Sequence, residues 1–354
     1  MAERIPEWFS IKLFACLREE CPGTPGRMTA DRIRSILAWH VHGSWMESFV
    51  AGRHRYLIPV GIPADGNGDA DGRGLCGRKW PAAQEIPLDR LRDEDIDLVV
   101  LQRPAELELA ARFLGRRPGV DIPAVYVEHN APRPYPTGSV HPLAERRDIP
   151  IVHVTDYNRL MWDNGVAPTL VIAHGIADPG NQFSGVVGAA ATMINEPLRR
   201  WRTVGTDLLT DLSTHVPIDV WGIGTDDLNR DGRLGAVTGR GDVGHPHVLH
   251  EVARRRVYLH TARWTSLGLS LIEAMFVGMP IVAVASTAAP MAIPADAGVV
   301  GADVGQLASA LGMYVADPSA AMVAGKAARE HALAHFGLDR FLREWDRLIA
   351  EYCR

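Results

Sequence analysis

The sequence predicts an α/β protein built from two Rossmann-like domains that are joined by a hinge. Short apolar runs alternate with helical segments along most of the 354 residues, and the alternation restarts after a glycine-rich connection at residues 176–188. The apolar runs are continuous, as in parallel strands that are covered on both faces of a sheet. A chain of this length also fits two domains better than one.

The composition indicates a soluble globular protein and argues against several function classes. Hydrophobic residues make up 47% of the chain and charged residues 22%, and the formal net charge is -5. This negative charge argues against non-specific nucleic-acid binding. The four cysteines include no CxxC pair, which is typical of reduced thiols. No apolar run approaches the ~18 residues of a membrane span, and the N-terminus lacks the pattern of a signal peptide. We therefore expect a cytoplasmic protein without a transmembrane segment.

In the N-terminal part, polar residues follow the predicted strands at the point where each strand ends. The apolar runs predict strands at 36–42, 56–60, 96–101, 124–127, 151–154 and 169–173, with helices at 45–50, 105–114 and 157–163. Ligands of parallel sheets bind beyond the carboxyl ends of the strands. The residues expected to line such a crevice are His42, Gln102, Arg103, Glu128, His129, Asn130, His174 and Gly175.

The C-terminal part repeats the alternation and closes with a long amphipathic tail. Strands are predicted at 190–194, 218–222, 257–260 and 281–284, with helices at 206–215, 246–255, 307–315 and 319–353. Apolar residues recur at helical spacing near the C-terminus, so we expect the tail to pack back on the N-terminal domain. The predicted divisions are a loosely packed extension at 1–28, an N-terminal Rossmann-like domain at 29–180, a C-terminal Rossmann-like domain at 189–335 and a C-terminal helix at 336–354.

Residues 264–283 are the most informative stretch of the chain. Thr265 or Ser266 can cap a helix that Gly278 ends, and a strand follows Pro280. The free N–H groups at a helix N-terminus hold anions such as a diphosphate. The carboxylate of Glu273, one turn inside the helix, can accept hydrogen bonds from two hydroxyls of a sugar or ribose. A plain strand–helix–strand unit of an α/β core would explain the same pattern.

Three histidines at 245–250 offer a metal-binding alternative. His247 and His250 are three residues apart on a predicted helix and share a face with each other, and His245 precedes them. Three histidines can hold zinc. The sequence shows no carboxylate base beside them, so we favour capping, stacking or phosphate contact and predict no metal site.

Several motifs together resemble those of GT-B glycosyltransferases, and in particular the retaining family 4 group. The segment SLGLSLIEAMFVGMPIVA at 266–283 is similar to the family motif E-G-F-G-L-x-x-x-E-A-M-A-x-G-x-P-V-V-A. VIAHGI at 171–176, VGTDLL at 204–209 and VWGIG at 220–224 resemble further family motifs, and EHN at 128–130 ends a strand as it does in the family. The resemblance covers most of residues 33–350 and is specific only around 264–283.

The resemblance implies two domains facing each other across a cleft that holds a nucleotide-diphosphate-sugar donor. It further implies a metal-independent reaction with retention, no cofactor, and an acceptor on the N-terminal side that is a small molecule, a lipid-linked sugar or a glycan. By position, Glu273 is expected to bind the ribose hydroxyls, and His129 the donor sugar near the reacting carbon. The backbone N–H groups expected to face the diphosphate and the sugar are those near Gly43, Ser266, Leu267, Gly268 and Leu269.

Two departures from the family pattern affect the donor site. Thr265 replaces the first glutamate of a family pair that lies near the sugar hydroxyls, so the sugar preference is expected to differ. Val204 replaces a lysine that neutralises the diphosphate in the family. Arg199, Arg200 and Arg202 lie on the same loop and are expected to replace it, since guanidinium groups bind phosphate in a bidentate manner.

The sequence therefore predicts a retaining glycosyltransferase of the hexosyltransferase type. The residues assigned to catalysis are His129, Glu273, Arg199 and Arg202. The residues assigned to donor binding are Gly43, Arg200, Thr265, Ser266, Leu267, Gly268 and Leu269. Two alternatives remain open: a sugar-nucleotide epimerase or hydrolase on the same fold, and a degenerate, non-catalytic subunit that binds sugar nucleotides.

Overall fold

A computed structural model describes residues 32–61 and 72–353. The extension predicted at 1–28 lies outside these residues. Among the described residues, no single helix is both long and apolar enough to cross a membrane. Two consecutive helices, Val304–Ala316 and Pro318–His335, meet the length and composition criterion only together, across a bend of 109°.

The N-terminal lobe contains a parallel sheet of seven strands in the order β3-β2-β1-β4-β5-β6-β7. The strands are β1 (Ser35–Ala38), β2 (Arg55–Val60), β3 (Ala83–Pro87), β4 (Leu98–Leu101), β5 (Ala124–Glu128), β6 (Ile151–His153) and β7 (Thr169–Val171). The helices are α1 (Gly43–Phe49), α2 (Ala105–Leu114) and α3 (Asp156–Met161), with a 3-10 helix at Leu88–Asp93.

The C-terminal lobe contains a parallel sheet of six strands in the order β10-β9-β8-β11-β12-β13. The strands are β8 (Val187–Met193), β9 (Ile218–Trp221), β10 (Val237–Gly239), β11 (Arg255–His260), β12 (Ile281–Val284) and β13 (Gly298–Gly301). The helices are α4 (Trp201–Val204), α5 (Thr206–Leu212), α6 (His245–Ala253), α7 (Leu269–Phe276), α8 (Ala289–Ala292), α9 (Val304–Ala316), α10 (Pro318–His335) and α11 (Leu338–Tyr352). A 3-10 helix spans Thr225–Arg230.

Both sheets are covered on both faces, which explains why their strands are continuously apolar. Along β1, Ile36 and Ala38 belong to one hydrophobic core, whereas Leu37 belongs to the core on the opposite face. All three side chains are fully buried. Burying a large aliphatic side chain stabilises a fold by about 1.5–3 kcal/mol, so both faces of this strand contribute. The α/β class and the two Rossmann-like sheets predicted from the sequence are confirmed.

The C-terminal tail is two helices rather than the single helix predicted at 319–353. The helix α10 ends at His335, because Phe336 turns into the core of the C-terminal lobe and Gly337 is extended. The helix α11 then crosses to the N-terminal lobe. There, Trp345 packs edge-on against Trp45 and Phe49, with ring centroids 5.8 and 4.8 Å away. The predicted return of the C-terminal helix to the N-terminal domain is confirmed.

Candidate functional site

A cleft of about 740 Å³ lies beyond the carboxyl ends of the strands of the C-terminal lobe and is closed on its other side by the N-terminal lobe. His42, Ser44 and Arg78 contribute the N-terminal wall. In each sheet the strand order reverses between two neighbouring strands, β1 and β4 in one and β8 and β11 in the other. Such switch points of parallel sheets form the crevice in which ligands bind.

The N-terminus of α7 points into this cleft. The helix begins at Leu269, and Gly268, Leu269 and Ser270 all line the cavity. The N-cap residue is Gly268 and makes no side-chain hydrogen bond to the helix. The prediction that Thr265 or Ser266 caps this helix is therefore wrong. Because no side chain caps them, the first N–H groups of α7 are available to an anion in the cleft.

The loop before α7 is bonded to the N-terminal lobe. Asn158 on α3 donates a hydrogen bond from Nδ2 to Ser266 Oγ, at 2.9 Å. The indole of Trp264 donates to the carbonyl oxygen of Pro132, also at 2.9 Å. Ser266 lies two residues before the N-cap Gly268, and its hydroxyl accepts a hydrogen bond from the other lobe.

Glu273 lies at the boundary between the cleft and a smaller side cavity of about 300 Å³. Its carboxylate is buried, and Oε1 lies 2.8 Å from Nε2 of His245, the first residue of α6. The hydrogen bond to Glu273 raises the pKa of His245 in spite of partial burial. Both residues line both cavities. This position lets the carboxylate accept hydrogen bonds from hydroxyls in the cleft.

His129 lies in a buried aromatic cluster behind the cleft wall. The amide of Gln102 donates from Nε2 to the carbonyl oxygen of Trp39 at 2.6 Å, so its Oε1 faces His129 Nε2 at 3.0 Å. His129 Nε2 therefore carries the proton, and the neutral ring retains Nδ1 as an acceptor. Burial lowers the pKa of His129 well below its usual value. The ring of His42 contacts it, with the centroids 4.3 Å apart and the ring planes tilted by 53°, and lines the cavity itself.

Two more histidines with lowered pKa values lie at strand ends. Burial lowers the pKa of His174 to about 4. Burial also lowers the pKa of His260, the last residue of β11, to about 4. His260 lines the cleft beside Thr265. At neutral pH these rings are uncharged hydrogen-bonding groups.

No family model and no curated protein matches this sequence. Solved structures are nevertheless similar over most of the chain. Anabaena HepE in complex with UDP-glucose is 17% identical, with a TM-score of 0.68, and the match covers 90% of this chain and 100% of that one. The sucrose-phosphate synthase of Thermosynechococcus elongatus is 16% identical, with a TM-score of 0.65 and coverage of 90% and 98%. A glycosyltransferase from Rickettsia africae is 13% identical, with a TM-score of 0.64 and coverage of 91% and 99%.

The chain has the GT-B fold. Its two parallel sheets of seven and six strands are consistent with the two Rossmann-like domains of that fold, and the similar structures span nearly the whole chain. The predicted fold family is thereby confirmed, and the candidate site is the cleft of a GT-B protein.

The GT-B cleft brings together some of the residues assigned from the sequence. Glu273, Arg200, Thr265, Gly268 and Leu269 line it. The lining of the cleft does not include the remaining ones, which are Gly43, His129, Arg199, Arg202, Ser266 and Leu267.

The three arginines assigned to the diphosphate point in different directions. Arg199 is 69% exposed and pairs with Glu196, and Arg202 is 74% exposed and pairs with Asp207 at 3.1 Å. Only Arg200 lines the GT-B cleft. Burial and the neighbouring Arg133 and Arg199 lower the pKa of this guanidinium. Glu196 and Asp207 thus pair with Arg199 and Arg202 at the surface, away from the cleft lining. The assignment of these two arginines to the diphosphate stays a prediction.

Gly43 lies between two residues of the N-terminal wall. A side-chain carbon at this position would approach the guanidinium of Arg78 at 3.0 Å. The absence of a side chain at Gly43 thus lets Arg78 lie over the turn and reach the cleft.

Other residues that were not assigned from the sequence also line the cleft. They include Ser44, Arg78, Asn195, Trp221, Asp242 and His260. Trp221 and His260 end strands, so the rule that located His129 could have found them. The zinc alternative receives no support, since the described residues contain no group of three side chains placed to hold a metal.

Proposed function

We propose that this chain is a retaining, metal-independent glycosyltransferase that transfers a hexosyl group from a nucleotide-diphosphate-sugar to an acceptor. The observation that carries the proposal is the composition of one cleft wall. An uncapped helix N-terminus, the guanidinium of Arg200 and the carboxylate of Glu273 all line the same GT-B cavity. These are the groups needed to bind a diphosphate and the ribose next to it.

In this proposal, the diphosphate lies at the N-terminus of α7. The backbone N–H groups of Leu269 and Ser270 donate to phosphate oxygens, and Arg200 supplies the positive charge. During transfer the sugar passes through an oxocarbenium-like state while the diphosphate gains negative charge. Fixed donors aimed at that charge lower the barrier, so the reaction needs no metal ion.

The proposed proton path uses the leaving group. The departing phosphate oxygen takes the proton of the acceptor hydroxyl on the same face of the sugar, which gives retention. The neighbouring histidines remain neutral because burial lowers their pKa values. We assign His42, in the cleft wall, to the sugar hydroxyls. We assign His129 to support of the His42 ring, which it contacts with the ring centroids 4.3 Å apart.

The solved structures suggest which donor to test first. HepE was solved with UDP-glucose, and a TarM structure from S. aureus, at 16% identity, was solved with UDP. Thr265 and His260 line the cleft where the sugar is proposed to lie, so the sugar preference depends on them. UDP and UDP-glucose are therefore the first compounds to test, followed by the adenine, guanine and thymine nucleotides.

The test has two steps. Calorimetric titration with UDP, ADP, GDP, CDP and dTDP should show binding of at least one of them. Glu273→Gln should weaken that binding about tenfold without lowering the melting temperature, since a neutral amide replaces a charged acceptor. Product analysis of the matching nucleotide-sugar, with and without a mixture of sugar acceptors, should then show transfer with the anomeric configuration retained. Epimer or free sugar as the sole product, or no binding of any nucleotide, would contradict the proposal.

A further inference from the structure

The carboxylate of Glu273 is held by one side chain. Across the described residues, His245 is the single side chain that hydrogen-bonds to it, from Nε2 to Oε1 at 2.8 Å. A carboxylate has about four lone-pair sites on two oxygens. One site on Oε1 is therefore occupied, and Oε2 is free to accept hydrogen bonds from a ligand.

His245 lies where a helix start and a proline restrict the backbone. His245 is the first residue of α6, Gly244 is its N-cap, and Pro246 follows with its φ angle fixed by the ring. The buried residues Leu249 and Val252 hold the helix in the same hydrophobic core as α7. The imidazole thus starts from a fixed position and can restrain the carboxylate on the neighbouring helix.

We propose that His245 is the positioning residue that orients the Glu273 carboxylate toward the two hydroxyls of a ribose, and that this pair sets the preference of the site for ribonucleotides. The inference rests on the proposed function, because it takes Glu273 as the ribose acceptor. Without the bond to His245, the carboxylate can rotate toward the side cavity, which it also lines. A carboxylate turned that way no longer meets the 2′-hydroxyl of a nucleotide in the cleft.

A ribose preference is the measurable consequence. A site that holds a fixed acceptor for a hydroxyl rejects an analogue that lacks it, because the buried acceptor is left unpaired. The wild-type protein should therefore bind the tightest of UDP, ADP, GDP and CDP about tenfold better than its 2′-deoxy counterpart.

The experiment compares four variants by calorimetric titration with that ribonucleotide and its deoxy counterpart. His245→Ala should weaken ribonucleotide binding about fivefold and deoxynucleotide binding less than about twofold, so that the discrimination approaches that of Glu273→Gln. His245→Gln keeps an N–H donor of similar reach and should restore most of the discrimination. His247→Ala is the matched control, since His247 is exposed on the same helix and lines neither cavity.

The outcomes separate the inference from the function on which it rests. Binding of no nucleotide to the wild-type protein would overturn both. Nucleotide binding by wild type with unchanged discrimination in His245→Ala would overturn the inference alone. An equal loss for both nucleotides in His245→Ala would show a general structural role and would also overturn it.

Discussion

Replacement of Arg200 by alanine tests the donor site most directly. Arg200 lines the cleft, and burial and the nearby Arg133 and Arg199 act against its positive charge, as the lowered pKa shows. An anion in the cleft would relieve that unfavourable energy. A hydrogen bond to a charged group contributes about 1.5–3 kcal/mol, so Arg200→Ala should weaken nucleoside diphosphate binding by roughly 10- to 150-fold.

The same variant should not destabilise the free protein. Removing a half-buried charge from beside two like charges costs little, so the melting temperature should stay the same or rise. Arg199→Ala and Arg202→Ala are matched controls on the same segment, each losing only an exposed ion pair. Exposed pairs contribute about 0–1 kcal/mol to stability, and neither side chain reaches the cleft. Both controls should bind the nucleotide within about twofold of wild type.

Calorimetric titration and thermal unfolding of the three variants, at the same salt concentration, give the two measurements. If Arg200→Ala binds as tightly as wild type, the diphosphate does not lie beside Arg200. If Arg199→Ala or Arg202→Ala loses more affinity than Arg200→Ala, the surface arginines move into the cleft when the donor binds.

Three further predictions concern stability. Burial lowers the pKa of His153 to about 4, so below pH 6.5 the unfolded chain gains a proton that the folded chain does not. The free energy of unfolding should therefore fall toward pH 4 by about 1.4 kcal/mol per pH unit for this residue. In urea unfolding at several pH values, His153→Gln should remove this part of the pH dependence. A side chain at Gly325 would meet the carbonyl oxygen of Gly278 at 2.0 Å, so Gly325→Ala should lower the free energy of unfolding by at least about 1–3 kcal/mol. The control Gly312→Ala meets nothing within 4 Å and should be neutral or stabilising. Equal melting temperatures of the two variants would refute the packing of α10 on α7. Ser266→Ala removes the hydrogen bond between the lobes and leaves the bond from Asn158 to the carbonyl of Asn130 in place, so it should cost about 1 kcal/mol in urea unfolding; an unchanged midpoint would show that the bond between the lobes contributes nothing.

The central strands could be predicted from the sequence, and three edge strands could not. Central strands such as β4 and β11 are buried on both faces and leave continuous apolar runs. The missed strands β3, β10 and β13 each lie at the edge of a sheet. Their sequences, AQEIP, VTG and GVVG, are short or partly polar because an edge strand has one neighbour and more contact with solvent. These strands form by pairing with a neighbouring strand, and a local sequence pattern does not contain that pairing.

At the site, the sequence predicted which residue types are present but not the direction in which each side chain points. The sequence located Glu273 and the helix that carries it, because a strand–turn–helix pattern fixes both. It did not separate Arg200 from Arg199 and Arg202, since adjacent positions give no information on which side chain turns inward. Ser266 has the residue type of a helix cap, but its partner Asn158 lies 108 residues away in the chain. Local pattern alone could not place that contact.

The two crossings between the lobes are bonded to each other. The chain passes from the N-terminal to the C-terminal lobe near Ile176 and returns near Phe336, and the N–H of Ile176 donates to the carbonyl oxygen of Phe336 at 2.9 Å. Gly175 makes this closeness possible, since a side chain there would lie 2.2 Å from Cβ of Phe341. The two segments that connect the lobes thus lie side by side, at one point of the boundary between the lobes. A rotation of one lobe about this point would widen the far rim of the cleft while leaving the bonded pair almost still. A larger side chain at Gly175 should instead collide with Phe341 and displace α11, without touching the cleft.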